Sequence, residues 1–159
     1  VQYGDFGDWD NVTSISDAKA MENWWNKYLA QNIKTLKIEN QPDNSLIVYL
    51  ADGTKFRIFN YYGPVSTDSN ATHIFFYPKA NNKTNINGKD YFVFFLHAET
   101  NKEWNVFAPY KFAWDGTRDG LINGTYGCNK HKDNSGRHYC TALIEYNGWK
   151  IPDDYPFRF

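Results

Sequence analysis

SLIVYLADGTKFRIF (45–59) is the stretch that decides the fold. Two runs of aliphatic, aromatic and β-branched residues flank Asp52-Gly53, and glycine accepts the positive φ that a tight hairpin turn requires. The dipeptide predicts a type I′ turn with Asp52 and Gly53 at its two central positions. Beyond it, Phe56 and Ile58 alternate with Lys55 and Arg57, so one face of this strand is expected to be buried and the other wet. A hairpin makes its sheet antiparallel at that point, and the rest of the chain is read outward from this pair.

Toward the N-terminus, Met21, Trp24, Trp25, Tyr28 and Leu29 fall at i, i+3, i+4, i+7 and i+8. That spacing is one face of a helix, with Asn23, Asn26 and Lys27 on the other. Ser14 and Ser16 each offer a side-chain oxygen as N-cap. The Trp24/Trp25 stripe is expected in the core. Ile33, Leu36 and Ile38 suggest a short extended segment between helix and hairpin, and residues 1–13 an irregular entry.

Toward the C-terminus, HIFFY (73–77) predicts a strand stopped by Pro78, and residues 79–89 a polar, Asn-rich turn. YFVFFL (91–96) is apolar throughout, as a strand covered on both faces would be. WNVF (104–107) predicts a shorter strand ended by Pro109. Residues 113–140 read as a long Gly/Asn-rich excursion, TALIEY (141–146) as a last strand, and GWKIPDDYPFRF (148–159) as a tail packed in an extended path. One helix followed by strands without alternation predicts an α+β fold, the helix packed on an antiparallel sheet. The 159 residues fit a single domain, 1–159.

The formal net charge of -1 gives no strong field, so non-specific binding to nucleic acid or anionic membrane is not expected. No stretch approaches the roughly 18 apolar residues of a membrane span. Motifs of serine hydrolases, zinc peptidases and nucleotide-binding loops are absent. His73, His97, His131 and His138 are scattered, and Asp153 and Asp154 sit side by side in an extended tail, not across a cleft. No catalytic residue is assigned and no enzyme is expected. Aromatics reach 19% of the chain, and their faces could stack on sugars, but core packing accounts for them equally.

Cys128 and Cys140, close in sequence, suggest a disulfide closing loop 129–139 and an oxidising compartment. Two buried thiols are the alternative, as is a zinc site completed by His131 and His138, whose spacing matches no common zinc module. In the Asn-rich loop, Asn85, Asn87 and Asp90 are a weak calcium candidate, since only Asp90 supplies a carboxylate. The other reading is a turn whose Asn side chains bond their own backbone. No other cofactor is expected. Asn11, Asn70, Asn82 and Asn123 match the N-glycosylation acceptor, as chance allows in a chain so rich in Asn and Thr.

The stretch from Asp90 to Pro156 also carries a resemblance. It contains DYFVFFL (90–96), APYKFAWDGTRDGLINGTYGC (108–128) and YCTALIEYNGWKIPDDYP (139–156). It resembles the C-terminal half of bacterial type IV pilins and type II secretion pseudopilins, the prepilin-type cleavage and methylation family. Cys128, Cys140, Ala142, Ile144, Gly148, Trp149, Ile151, Asp154, Tyr155 and Pro156 match its Cys-loop and tail motif. WWNKYLAQNIKTLKIEN (24–40) and the Asp52-Gly53 hairpin resemble the family's amphipathic helix and central hairpin, so the likeness covers nearly the whole chain. The chain departs from the pattern at Pro78-Lys79-Ala80-Asn81 and at its end, Phe157-Arg158-Phe159. The resemblance implies a filament subunit at the cell surface or in the periplasm, acting by polymerisation and display. Its partners would be other subunits, and the inner membrane before assembly, both reached through a hydrophobic helix preceding Val1. The chain would then be a trimmed or processed head, monomeric in solution. A surface adhesin or carbohydrate-binding module is the alternative.

Overall fold

The computed structural model describes residues 18–60, 71–97 and 106–159. Helix α1, Ala18–Tyr28, forms where the apolar stripe places it, and Met21, Trp24, Trp25 and Tyr28 are all buried. The serine caps lie outside the described residues. Burying Trp25 leaves its indole N–H without a partner among the described residues, a cost set against its large apolar area.

Among the described residues six strands follow: β1 Thr35–Asn40, β2 Leu46–Leu50, β3 Lys55–Asn60, β4 Ala71–Tyr77, β5 Phe92–His97 and β6 Val106–Pro109. They form one sheet in chain order, each antiparallel to the next. The fold is α+β, as the sequence implied. In β1 the pairing shifts between Thr35 and Lys37, and Leu36, at that irregularity, is exposed. Pro109 sits on the edge strand, where its missing N–H breaks no ladder.

The hairpin turn differs from the expected one. Gly53 has a φ of 87°, but Asp52 keeps a negative φ, which excludes type I′. The Gly53 N–H donates to the Leu50 carbonyl at 3.2 Å and the Leu50 N–H to the Thr54 carbonyl at 3.0 Å. The loop is therefore three residues, Ala51–Gly53, with glycine as the left-handed residue after the turn. Asp52 favours this form because its carboxylate accepts from the Thr54 N–H and hydroxyl at 2.9 and 2.7 Å.

Alternation divides the sheet into two apolar faces. Leu46, Val48, Ile58 and Ile74 lie in register and pack with the α1 stripe, flanked by Ile38, Phe56, Phe94 and Leu96. The opposite face presents Phe75, Val93 and Phe95 to a second core built from the C-terminal third. β5 is thus covered on both sides, as its unbroken apolar run predicted.

Two C-terminal expectations fail. The stretch read as a last strand is helix α3, Cys140–Tyr146, and the excursion before it holds helix α2, Arg118–Asn123, and a 3-10 turn at Asn134–Gly136. Cys140, Thr141, Ala142, Leu143 and Ile144 are all buried. A helix enclosed on every side has no polar stripe, and so reads like a buried strand.

Candidate functional site

The C-terminal third packs its apolar side chains on the sheet and holds its own shape through polar contacts. Asp115 accepts from the Thr117 N–H and hydroxyl, both at 2.9 Å, and Thr117 caps α2 by accepting from the Gly120 N–H at 2.9 Å. Cys128 follows α2, and its N–H donates to the Leu121 carbonyl at 2.8 Å. Cys128 and Cys140 are joined as a disulfide, so the end of α2 is tied to the first turn of α3. The zinc alternative falls with that bond: both sulfurs are occupied, His131 is exposed and His138 is buried.

The Asn-rich loop is docked on the disulfide loop, a junction sequence reading missed. The Asn134 side chain accepts from the Asn87 N–H at 2.7 Å and donates to the Asn85 carbonyl at 2.8 Å. Arg137 crosses the disulfide loop, donating to the Asn129 and Lys132 carbonyls at 2.8 and 2.6 Å and to the Asn87 carbonyl at 3.4 Å. Asn87 and His138 meet side chain to side chain, the amide nitrogen 3.2 Å from Nδ1. The rings of Tyr110, Tyr126, Phe75 and His73 surround His138, and burial pushes its pKa down to about 4.

Asn85, Asn87 and Asp90 do not converge. Asp90 accepts from Asn82 Nδ2 at 2.7 Å and the Ile86 N–H at 2.9 Å, Asn87 faces His138, and Asn85 gives its carbonyl to Asn134. The turn reading is changed as well: the side chain that bonds the loop's own backbone is that of Asp90, while Asn82 bonds Asp90 and Asn87 bonds His138. Among the described residues no group of three His, Cys, Asp or Glu side chains could hold a metal. Of the glycosylation acceptors, Asn11 and Asn70 lie outside the described residues. Asn82 is engaged with Asp90, and Asn123 Nδ2 donates to Asp119 at 2.7 Å.

The tail residues singled out by sequence do structural work. Gly148, at φ 67°, ends α3: its N–H donates to the Glu145 carbonyl and that of Trp149 to the Ile144 carbonyl, both at 2.9 Å. That pair of bonds is a Schellman cap. Trp149 itself has a φ of 62° and is 60% exposed. One guanidinium nitrogen of Arg118, on α2, donates to both carboxylate oxygens of Asp154, at 2.6 and 2.8 Å. Tyr155 is buried and donates to the Gly88 carbonyl at 2.6 Å; desolvation raises its pKa. Pro156 lines a surface groove beside it. Trp24 and Trp25 stand apart from this cluster, in the core under α1.

Residues 1–159 match the model of a family of unknown function (DUF6613). No curated protein and no solved structure matches the chain.

Proposed function

We propose that this chain, which belongs to that family of unknown function along its whole length, is the head of a filament subunit of the type IV pilus or type II secretion kind. It would act by polymerisation and surface display, without turnover. One observation carries the reading: the tail motif that resembles pilins is also what ties the C-terminal third together and to the Asn-rich loop. Gly148 ends α3, Asp154 grips α2 and Tyr155 holds the Asn-rich loop, all around one disulfide. An amphipathic helix on one sheet face and a disulfide-closed segment on the other suit a head displayed outside the cell. The partners would be neighbouring subunits, through a hydrophobic helix preceding the head.

Immunogold microscopy with antibodies to this head tests the reading, together with the gene sequence upstream of the Val1 codon. Labelled surface filaments are expected, with upstream codons for a short basic leader, a glutamate and about 20 apolar residues. Unlabelled filaments, with the protein recovered only free in the medium, would overturn it.

A further inference from the structure

An open groove of about 380 Å³ runs between the disulfide loop and the tail. Lys130 and His131 line one side, and Tyr155, Pro156 and Arg158 the other. Lys130, His131 and Arg158 are exposed, and among the described residues their side chains have no hydrogen-bond or ion-pair partner. The groove's one carboxylate, Asp154, is already neutralised by Arg118. Asn129 also lines the groove, but its amide is committed to the Ile122 carbonyl and to the N–H groups of His131 and Lys132.

A buried cation adjoins the groove through Asn129, whose carbonyl it bonds. Arg137 is 6% exposed, and its guanidinium bonds only backbone carbonyls and lies 4.8 Å from the Phe157 ring centre. Among the described residues no carboxylate pairs with it. The loop 129–139 carries Lys130, Lys132 and Arg137 against Asp133 alone, in a chain whose net charge is -1. Both walls are held in place, one by the disulfide and Arg137, the other by Tyr155 on Gly88 and Asp154 on Arg118. The backbone on both sides is thus fixed, and only the exposed side chains of Lys130, His131 and Arg158 have to order around an anion.

We propose that this groove binds a carboxylate or phosphate group of a small ligand, with Lys130 and Arg158 as its charged donors and a ring N–H of His131 as a further donor. An arginine offers such an oxyanion two parallel N–H bonds, and a partly enclosed cleft strengthens the attraction over that of an open surface. Pro156 and the Tyr155 ring form the apolar wall against which the rest of the ligand lies. The inference stands independently of the filament reading.

The test is an amide NMR titration of the whole disulfide-bonded chain at low ionic strength. The probes are inorganic phosphate, trigalacturonate and, as neutral control, maltotriose. Phosphate and trigalacturonate are expected to shift residues 129–131 and 154–158 while maltotriose does not. Salt at about 0.2 M should weaken both. Equal binding of the two anions would mean that the free oxyanion suffices, whereas about tenfold preference for trigalacturonate would make an acidic sugar the source. The double substitution Lys130→Gln/Arg158→Gln should reduce affinity at least about tenfold and leave distant amides unmoved. Silence of residues 129–131 and 154–158 to both anions at about 10 mM overturns the proposal, since that is weaker than a built site would allow. So does binding that survives the double substitution.

Discussion

Gly88 and Gly53 share a left-handed backbone, with φ of 84° and 87°, yet their surroundings differ. A Cβ at Gly53 would meet nothing within 4 Å, whereas one at Gly88 would stand 2.4 Å from Cys140 Sγ and 3.1 Å from the Tyr155 hydroxyl. Gly53→Ala should therefore cost only the left-handed strain, about 1 kcal/mol. Gly88→Ala adds overpacking against a disulfide that cannot swing aside, for a total of about 2–5 kcal/mol. Urea melts of the two variants check this, and equal losses would mean that the loop and disulfide are not packed as described. Sequence revealed both glycines as turn residues because local backbone chemistry demands them. It could not reveal the sulfur beneath Gly88, since the two are far apart in the chain. The same holds for Arg137 and His138: a polar residue in an Asn/Gly-rich loop reads as exposed unless its distant partners are known.

At the scale of elements, the parts decided by local periodicity were legible. The 3.6-residue stripe located α1, alternation located β3, and a continuous apolar run located β5. α3 was not, because Thr, Ile and Tyr favour strands and the helix is wrapped by α2, the sheet and the tail. One local signal was available: Asn147-Gly148 after an apolar run is a helix stop. The disulfide joins the segment after α2 to the start of α3 over a sequence separation of 12, and closing a loop of that length contributes about 2–3 kcal/mol in the chain-entropy account. Reduction should lower the Tm by about 5–10 °C. Hydrogen exchange should then quicken in α3 and the disulfide loop, while α1 and β1 to β3, in the other core, keep their protection. A melt indifferent to reductant would show that side-chain packing alone holds the two helices.

For the molecule as a whole, one sheet serves two cores. Loss of either uncovers an apolar face, so the acid stability of one buried group becomes a property of the entire fold. His138 is that group. Its pKa in the folded chain is about 4, against 6.5 for an ordinary histidine, because the aromatic rings around it exclude water from the charged form. As pH falls below 6.5 the unfolded chain takes up a proton that the folded chain declines. Stability therefore drops between pH 6.5 and 4 and levels off below, once both states are protonated. The shift corresponds to a loss on the order of 3 kcal/mol. Asp43, Asp52, Asp115 and Asp154 have lowered pKa values through their hydrogen bonds and ion pairs, so their contributions vanish only at lower pH. Glutamine at position 138 keeps a polar group facing Asn87 but cannot take up the proton. Urea melts at pH 7.0, 5.5 and 4.5 should show the native chain losing most of that stability, and His138→Gln, though less stable at pH 7.0, losing little more. Parallel declines in the two proteins would place the acid sensitivity elsewhere, with buried His73, whose tilted ring has its centre 6.4 Å away, the next residue to substitute.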